Sequence, residues 1–332
     1  MKLYISAFKY ILLLIIGITL LILAFKGQNL NRLISDLQKA HYGWVVASLS
    51  TMFLGHILRA FRWRMMISSL GQGTPSMLNT IYAVIIGYLA NLALPRMGEV
   101  SRCGVINKTD NIAVAKLIGT VIVERIIDLL MLTIFIAFSI FFQFDVISEF
   151  LYRNVFLKLN GRTANLRILL FAAAMFLTAL LFFYILMKKK KWGIRNQLYN
   201  LFMDLKSGIL SVKDLKNKTV FISSSILIWL LYWTSCYLCF FALDSTASLG
   251  ILPALSTLVF SSIGMIAPVQ GGIGAFHWMV SEGLEIYNIP KSEGLAYALL
   301  IHSSQTILIL FTGAISLIIL MLKPKSIKNE QT

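Results

Sequence analysis

The chain has 332 residues, 58% hydrophobic and 13% charged, with a mean hydropathy of +0.79. Soluble domains hold roughly 45–50% apolar and about 25% charged residues, so this chain has too few charges to cover a surface facing water, and its missing solvent is lipid. The 30 Lys+Arg against 14 Asp+Glu give a net charge of +16, but the basic residues gather between apolar runs, the pattern of cytoplasmic loops and anionic headgroups and not of nucleic-acid recognition.

A bilayer core of about 30 Å takes roughly 20 apolar residues as a helix. Apolar runs fall near 10–25, 43–58, 77–93, 112–142, 167–187, 219–243, 250–267, 273–289 and 294–322. The first follows Lys2 and Lys9 and ends at Ala24-Phe25-Lys26-Gly27 without a small-residue cleavage site, which predicts an uncleaved span. The second is followed by Arg59, Arg62 and Arg64, read as an inside anchor. The strongest anchor is the loop 188–218, with four consecutive lysines from Lys188 and nine basic residues against Asp204 and Asp214. Together with Lys323, Lys325 and Lys328 in the tail 323–332, it is expected in the cytoplasm.

These anchors set a parity condition. If 77–93 and 112–142 each crossed once, the run 167–187 would deliver the lysines outside. Parity returns if 77–93 enters from the cytoplasm, turns near Pro95 and comes back, and if 250–267 and 273–289 dip in from the other side. The expected fold is all-α: a polytopic integral membrane helical bundle of about eight membrane helices, including two broken or re-entrant helix pairs. It forms a single domain over 1–332 with both termini in the cytoplasm. Broken helices at membrane depth survive where they line protein or a wet cavity, and such interruptions in both halves point to a transporter's binding site. Cys103, Cys236 and Cys239 do not make a disulfide framework, and the C-x-x-C at Cys236 and Cys239 reads as packing inside an apolar helix.

Three places bring polar chemistry to membrane depth. In Asn91-Leu92-Ala93-Leu94-Pro95-Arg96-Met97-Gly98-Glu99, Pro95 breaks the helix and pushes Leu94 out of helical geometry, and Gly98 is expected to let the chain turn. Asn91 can reach carbonyls freed by the break, and the next helix N-terminus, with Arg96 and Arg102 nearby, suits an anion such as a phosphate. In Glu124-Arg125-Ile126-Ile127-Asp128, each charge costs roughly 2.5–3.5 kcal/mol at a helix centre unless partnered. Glu124 and Asp128 share a face and Arg125 reaches Asp128, yet one Arg cannot neutralise two carboxylates, so the spare charge meets Arg96 or Arg102, binds substrate or takes up a proton. The third place is Pro268-Val269-Gln270-Gly271-Gly272-Ile273-Gly274, where Gly271, Gly272 and Gly274 allow close backbone approach to a headgroup, followed by His277. The polar band from His302 to Thr306 reads as helix–helix hydrogen bonding. Neither a P-loop nor a hydrolase motif is present, and no metal or cofactor is expected, so any transport is passive, gradient-driven or powered by a partner.

At NLALPRMGEVSR (Asn91–Arg102), GTVIVERIID (Gly119–Asp128) and PVQGGIG (Pro268–Gly274), the chain resembles the transmembrane, flippase-like domain of lysylphosphatidylglycerol synthases and its free-standing relatives, over roughly 10–320. The resemblance implies a polytopic helical domain that moves lipids between leaflets. It also implies roles for Pro95, Arg96, Gly98, Glu99, Arg102, Glu124, Arg125, Asp128, Pro268, Gly271, Gly272 and Gly274. Two-domain members carry a following aminoacyl-transferase, so a chain of this length implies no lysyl transfer. Many members place a Glu where this chain has His277, which implies a different substrate.

The resulting expectation is a non-enzymatic lipid translocase of the inner membrane, acting on an anionic or aminoacylated phospholipid or a polyprenyl-linked lipid. Asn91, Arg96, Glu99, Arg102, Glu124, Arg125, Asp128, Gln270 and His277 are the substrate-binding candidates. The alternatives are a non-transporting accessory protein that presents a lipid to an envelope-biosynthesis enzyme, and an ion-coupled solute transporter.

Overall fold

The computed structural model describes residues 15–28, 30–151, 215 and 217–322. The run expected at 167–187, most of the basic loop 188–218 and the tail 323–332 lie outside the described residues. The architecture is all-α, with no strand among the described residues. In chain order the helices are α1 (Ile15–Phe25), α2 (Leu30–Gln38), α3 (Tyr42–Ser68), α4 (Met77–Ala93), α5 (Met97–Asp110), α6 (Val114–Phe142) and α7 (Phe144–Leu151). They continue as α8 (Lys218–Phe240), α9 (Ile251–Ile266), α10 (Ala275–Glu285) and α11 (Lys291–Leu322). Helices α3, α8 and α11 are long and apolar enough to cross a membrane.

Helices α4 and α5 form the first hairpin. Its base is closed by Asp110, whose carboxylate accepts from the Ser76 amide (3.2 Å) and from Asn79 Nδ2 (3.0 Å), while the Ser76 hydroxyl caps α4 by accepting from the Asn79 amide (3.1 Å). The tip follows from Pro95: Leu94 is extended at φ −137° and ψ 123°, and Arg96 then takes a left-handed conformation at φ 63°. The turn is therefore made at Arg96 and not, as the sequence suggested, by Gly98. Gly98 serves a different end, because a Cβ there would collide with the Gly87 carbonyl, so it lets α4 and α5 touch backbone to backbone. Asn91 also differs from expectation: its Oδ1 accepts from the Gly98 amide (2.8 Å), satisfying a helix N-terminus in place of freed carbonyls.

Helices α9 and α10 form the second hairpin. Gly271, Gly272 and Gly274 in its tip have φ of 56°, 78° and 81°, a region that L side chains enter at a cost. Its base is tied to the end of α6: Tyr287 donates its hydroxyl to Ser256 Oγ (2.7 Å), Gln143 Nε2 donates to the same oxygen (3.1 Å), and Tyr287 and Gln143 also bond to each other.

The two hairpins point in opposite directions. The end of α3 packs with the start of α8 through Met66, Leu215 and Phe221, and Arg64 donates to the Pro75 carbonyl (2.7 Å), so the first hairpin has its base at that end. At the opposite end the His41 amide reaches the Ala242 carbonyl (2.9 Å) and Trp233 donates to the Ile251 carbonyl (2.9 Å), which places the second base there. The tips meet inside the bundle, with Gly271 packed against Leu92, and His302 of α11 donates Nε2–H to the Gly271 carbonyl (2.8 Å). Each hairpin has its own apolar core: one joins Trp63, Val84, Cys103 and Val121 around the first, another joins Cys236, Cys239, Leu258, Phe276 and Tyr297 around the second.

One expected boundary is corrected. The second run does not stop before an arginine-rich loop; α3 continues as one helix of 27 residues to Ser68, with Arg59 and Arg62 buried inside it. They are not solvated topology anchors, because carboxylates of α6 neutralise them within the bundle. The amphipathic α2 (Leu30–Gln38), between the first two apolar runs, is likewise an element that apolar run length does not mark.

Replacing Gly98 by Ala is expected to cost about 1–3 kcal/mol through overpacking against the α4 backbone. Gly104→Ala on the same helix, with nothing within 4 Å of the new methyl group, is expected to leave stability unchanged or slightly raised. Thermal melting of the two purified variants in detergent checks the contrast.

Candidate functional site

Helix periodicity gathers the charges. Glu124 and Asp128 lie one turn apart on α6, and Arg59 and Arg62 lie on one face of α3. Arg102 follows the first break by little more than one turn, so the hairpin tip sets its depth. Arg59 Nη1 bridges Glu124 Oε1 (2.8 Å) and Asp128 Oδ2 (2.7 Å). Arg62 Nη2 donates to Asp128 Oδ1 (2.7 Å), and its Nη1 reaches Ser225 Oγ on α8 (3.3 Å). Arg102 Nη1 donates to Glu124 Oε2 (2.9 Å). The Arg102 guanidinium lies 4.5 Å from the ring centroid of Trp63, whose Nε1–H donates to Thr120 Oγ1 (2.9 Å).

Glu124 and Arg62 have no exposed side-chain surface, and Arg59 and Arg102 are nearly as buried. At the rim, Arg125 Nε pairs with Glu99 Oε1 (2.8 Å) and Arg125 Nη1 lies 3.7 Å from Asp128, in the half-buried partnership that the i, i+3 spacing suggested. The buried set is thus three guanidinium groups and two carboxylates. Several buried N–H groups have no acceptor: Nε of Arg59, Nε of Arg62, and both Nε and Nη2 of Arg102. A buried donor without a partner costs about 1–3 kcal/mol, so this cluster carries unmet capacity for an anionic acceptor.

Of the residues singled out from sequence, the structure brings together Glu99, Arg102, Glu124, Arg125 and Asp128. The spare acidic charge is met by Arg102, as expected, and by Arg59 and Arg62; it is not met by Arg96, which is exposed at the hairpin tip and has no ion pair among the described residues. His277 and Gln270 belong to the second tip and not to the charge cluster. His277 Nδ1 accepts from the Gly274 amide (3.3 Å), its ring meets His302 edge-on at 4.7 Å, and Gln270 is buried within the tip that Pro268 introduces.

Sequence reasoning missed Arg59 and Arg62 as site residues, and His56 with them. His56 lies one turn before Arg59, with Nδ1 3.2 Å from the Tyr232 hydroxyl and its ring 4.5 Å from that of Tyr88. The signal was present: His56, Arg59 and Arg62 recur every third residue, the spacing of one face if the helix runs on through the arginines.

Glu124→Gln leaves three guanidinium groups facing Asp128 alone and is expected to cost about 3–5 kcal/mol. Arg125→Gln at the half-exposed rim is expected to cost about 1 kcal/mol or less. Thermal melting of both variants measures the difference.

The model of the lysylphosphatidylglycerol synthase TM region matches residues 10–313, a range that holds both hairpins and every residue of the charge cluster. A UPF0104 membrane protein of Methanocaldococcus jannaschii is 24% identical over 325 residues, covering 94% of this chain and 95% of that protein. No solved structure matches the chain. Its all-α helical architecture agrees with the family match: this integral membrane protein belongs to the lysylphosphatidylglycerol synthase TM region family.

Proposed function

We propose that the protein is a lipid translocase that moves a phospholipid or a lipid-linked headgroup between the leaflets of an inner membrane, with both termini in the cytoplasm. The observation that carries this reading is the free Nε–Nη2 edge of Arg102, buried beside a broken helix in a cluster with more guanidinium groups than carboxylates. The two parallel N–H groups of that edge suit the oxygens of a phosphate. Membership of the family supports a lipid as the phosphate's carrier. The opposed hairpins support movement, since interrupted helices meeting inside the bundle supply the polar groups that a headgroup needs inside hydrocarbon. The half-exposed Glu99–Arg125 pair forms the rim that a headgroup crosses to reach Arg102.

Fluorescent phospholipid movement in proteoliposomes tests this. Wild type is expected to accelerate transfer over protein-free vesicles, and Arg102→Gln to lower the rate about ten- to a hundredfold, the worth of one charged hydrogen-bonding edge. Folded wild-type protein that binds lipid without moving it would overturn translocation and turn the site into one that presents lipid to a partner enzyme.

A further inference from the structure

We infer that the buried cluster selects its ligand by charge, accepting a headgroup with one net negative charge carried on a phosphodiester and rejecting pyrophosphates and headgroups that bring an ammonium group. This rests on the reading of the cluster as a phosphate site and goes beyond it by assigning the substrate class.

The inference follows from how the carboxylates are shared. Both Glu124 oxygens accept from a guanidinium, Oε1 from Arg59 and Oε2 from Arg102, and so do both Asp128 oxygens, Oδ2 from Arg59 and Oδ1 from Arg62. The rim pair of Arg125 and Glu99 is neutral in sum. Among the described residues, the cluster therefore holds one cation more than it holds anions, and two of its four unsatisfied donors lie side by side on Arg102. The Trp63 ring against the Arg102 guanidinium, itself held by Thr120, limits how far that side chain can swing to find another partner.

A phosphodiester brings two unesterified oxygens and a single charge, so it occupies both N–H groups of the free edge and cancels the surplus. A pyrophosphate brings at least one charge more than the cluster can neutralise, and an unpaired charge is costly where water is excluded. An ammonium group on the headgroup needs a carboxylate, but every oxygen of Glu124 and Asp128 already accepts from a guanidinium and Glu99 is paired with Arg125. Changing the cluster's charge without changing its shape should then change which headgroup binds.

The test is competition against a fluorescent phosphatidylglycerol on purified full-length protein in detergent. The competitors are phosphatidylglycerol, phosphatidylethanolamine, lysylphosphatidylglycerol, a polyprenyl pyrophosphate and water-soluble glycerophosphoglycerol. Wild type is expected to prefer phosphatidylglycerol over the other lipids by about tenfold or more. Asp128→Asn raises the surplus to two and is expected to reverse the order of phosphatidylglycerol and the pyrophosphate. Glu99→Gln, at the half-exposed rim where folding tolerates change, is expected to shift the same ratio in the same direction by about threefold. Equal binding of all the lipids by wild type, a folded Asp128→Asn variant that keeps the wild-type order, or a Glu99→Gln variant that leaves the ratio unshifted overturns charge selection while leaving the phosphate site standing. Binding of no lipid at all overturns the phosphate-site reading itself. Glycerophosphoglycerol competing as well as the lipid identifies a soluble phosphodiester as the ligand and removes the lipid from the proposal.

Discussion

Glu124 has no contact with water and is shared between two helices that do not carry it. One oxygen holds Arg59 of α3 and the other holds Arg102 of α5, so a single side chain fixes the first hairpin against the long helix beside it. In hydrocarbon each partner alone would cost several kcal/mol, and the three are stable only in company. Everything on this side of the bundle is placed to keep that company: the Trp63 ring under Arg102, the Gly87–Gly98 contact that draws α5 close, and the Asp110 closure at the hairpin base.

The two hairpins solve the same problem with different chemistry. A broken helix exposes amides and carbonyls that lipid cannot satisfy. At the first tip, Asn91 supplies the missing acceptor and a strained arginine makes the turn. At the second, three glycines take the left-handed conformations, while two histidines from different helices meet the backbone, His302 donating to Gly271 and His277 accepting from Gly274. Their opposite directions bring the two polar tips together inside the bundle. The charge cluster lies toward the end from which the first hairpin enters, since α8 approaches it through Ser225, two turns from Lys218.

Much of this arrangement was readable in the chain because charge and proline are conspicuous in an apolar sequence. Pro95 and the glycines after Pro268 announced both breaks, and the parity of the basic loops required the pairs to return to the side they entered. Glu124 and Asp128 announced the cluster by their depth. Arg59 and Arg62 were hidden by the same rule that placed the loops: a basic residue at the end of an apolar run reads as a cytoplasmic flank unless its partner is known, and the hydrogen-bonded partners Glu124 and Asp128 are 65, 69 and 66 positions away in the chain. Gly98 was noticed for the wrong reason, since sequence shows a flexible residue but not the carbonyl that would strike its missing methyl group. The hydrogen bond that ties His277 to the adjacent turn is invisible without the turn's geometry.

Helix α11 is 32 residues long, about 48 Å of helix against a hydrocarbon core of about 30 Å. It can be accommodated by leaning, by reaching into the headgroup zone, or by both. Along its length it touches the second hairpin where Gly294 meets Ser281, the second tip where His302 holds Gly271, and the first hairpin where Gly313 meets Leu89. One long strut thus braces both hairpins. A thinner or thicker bilayer alters the lean of that strut, and through it the spacing of two elements that do not share a base. Membrane thickness becomes a mechanical input to this bundle, acting from the lipid on the seam between the tips.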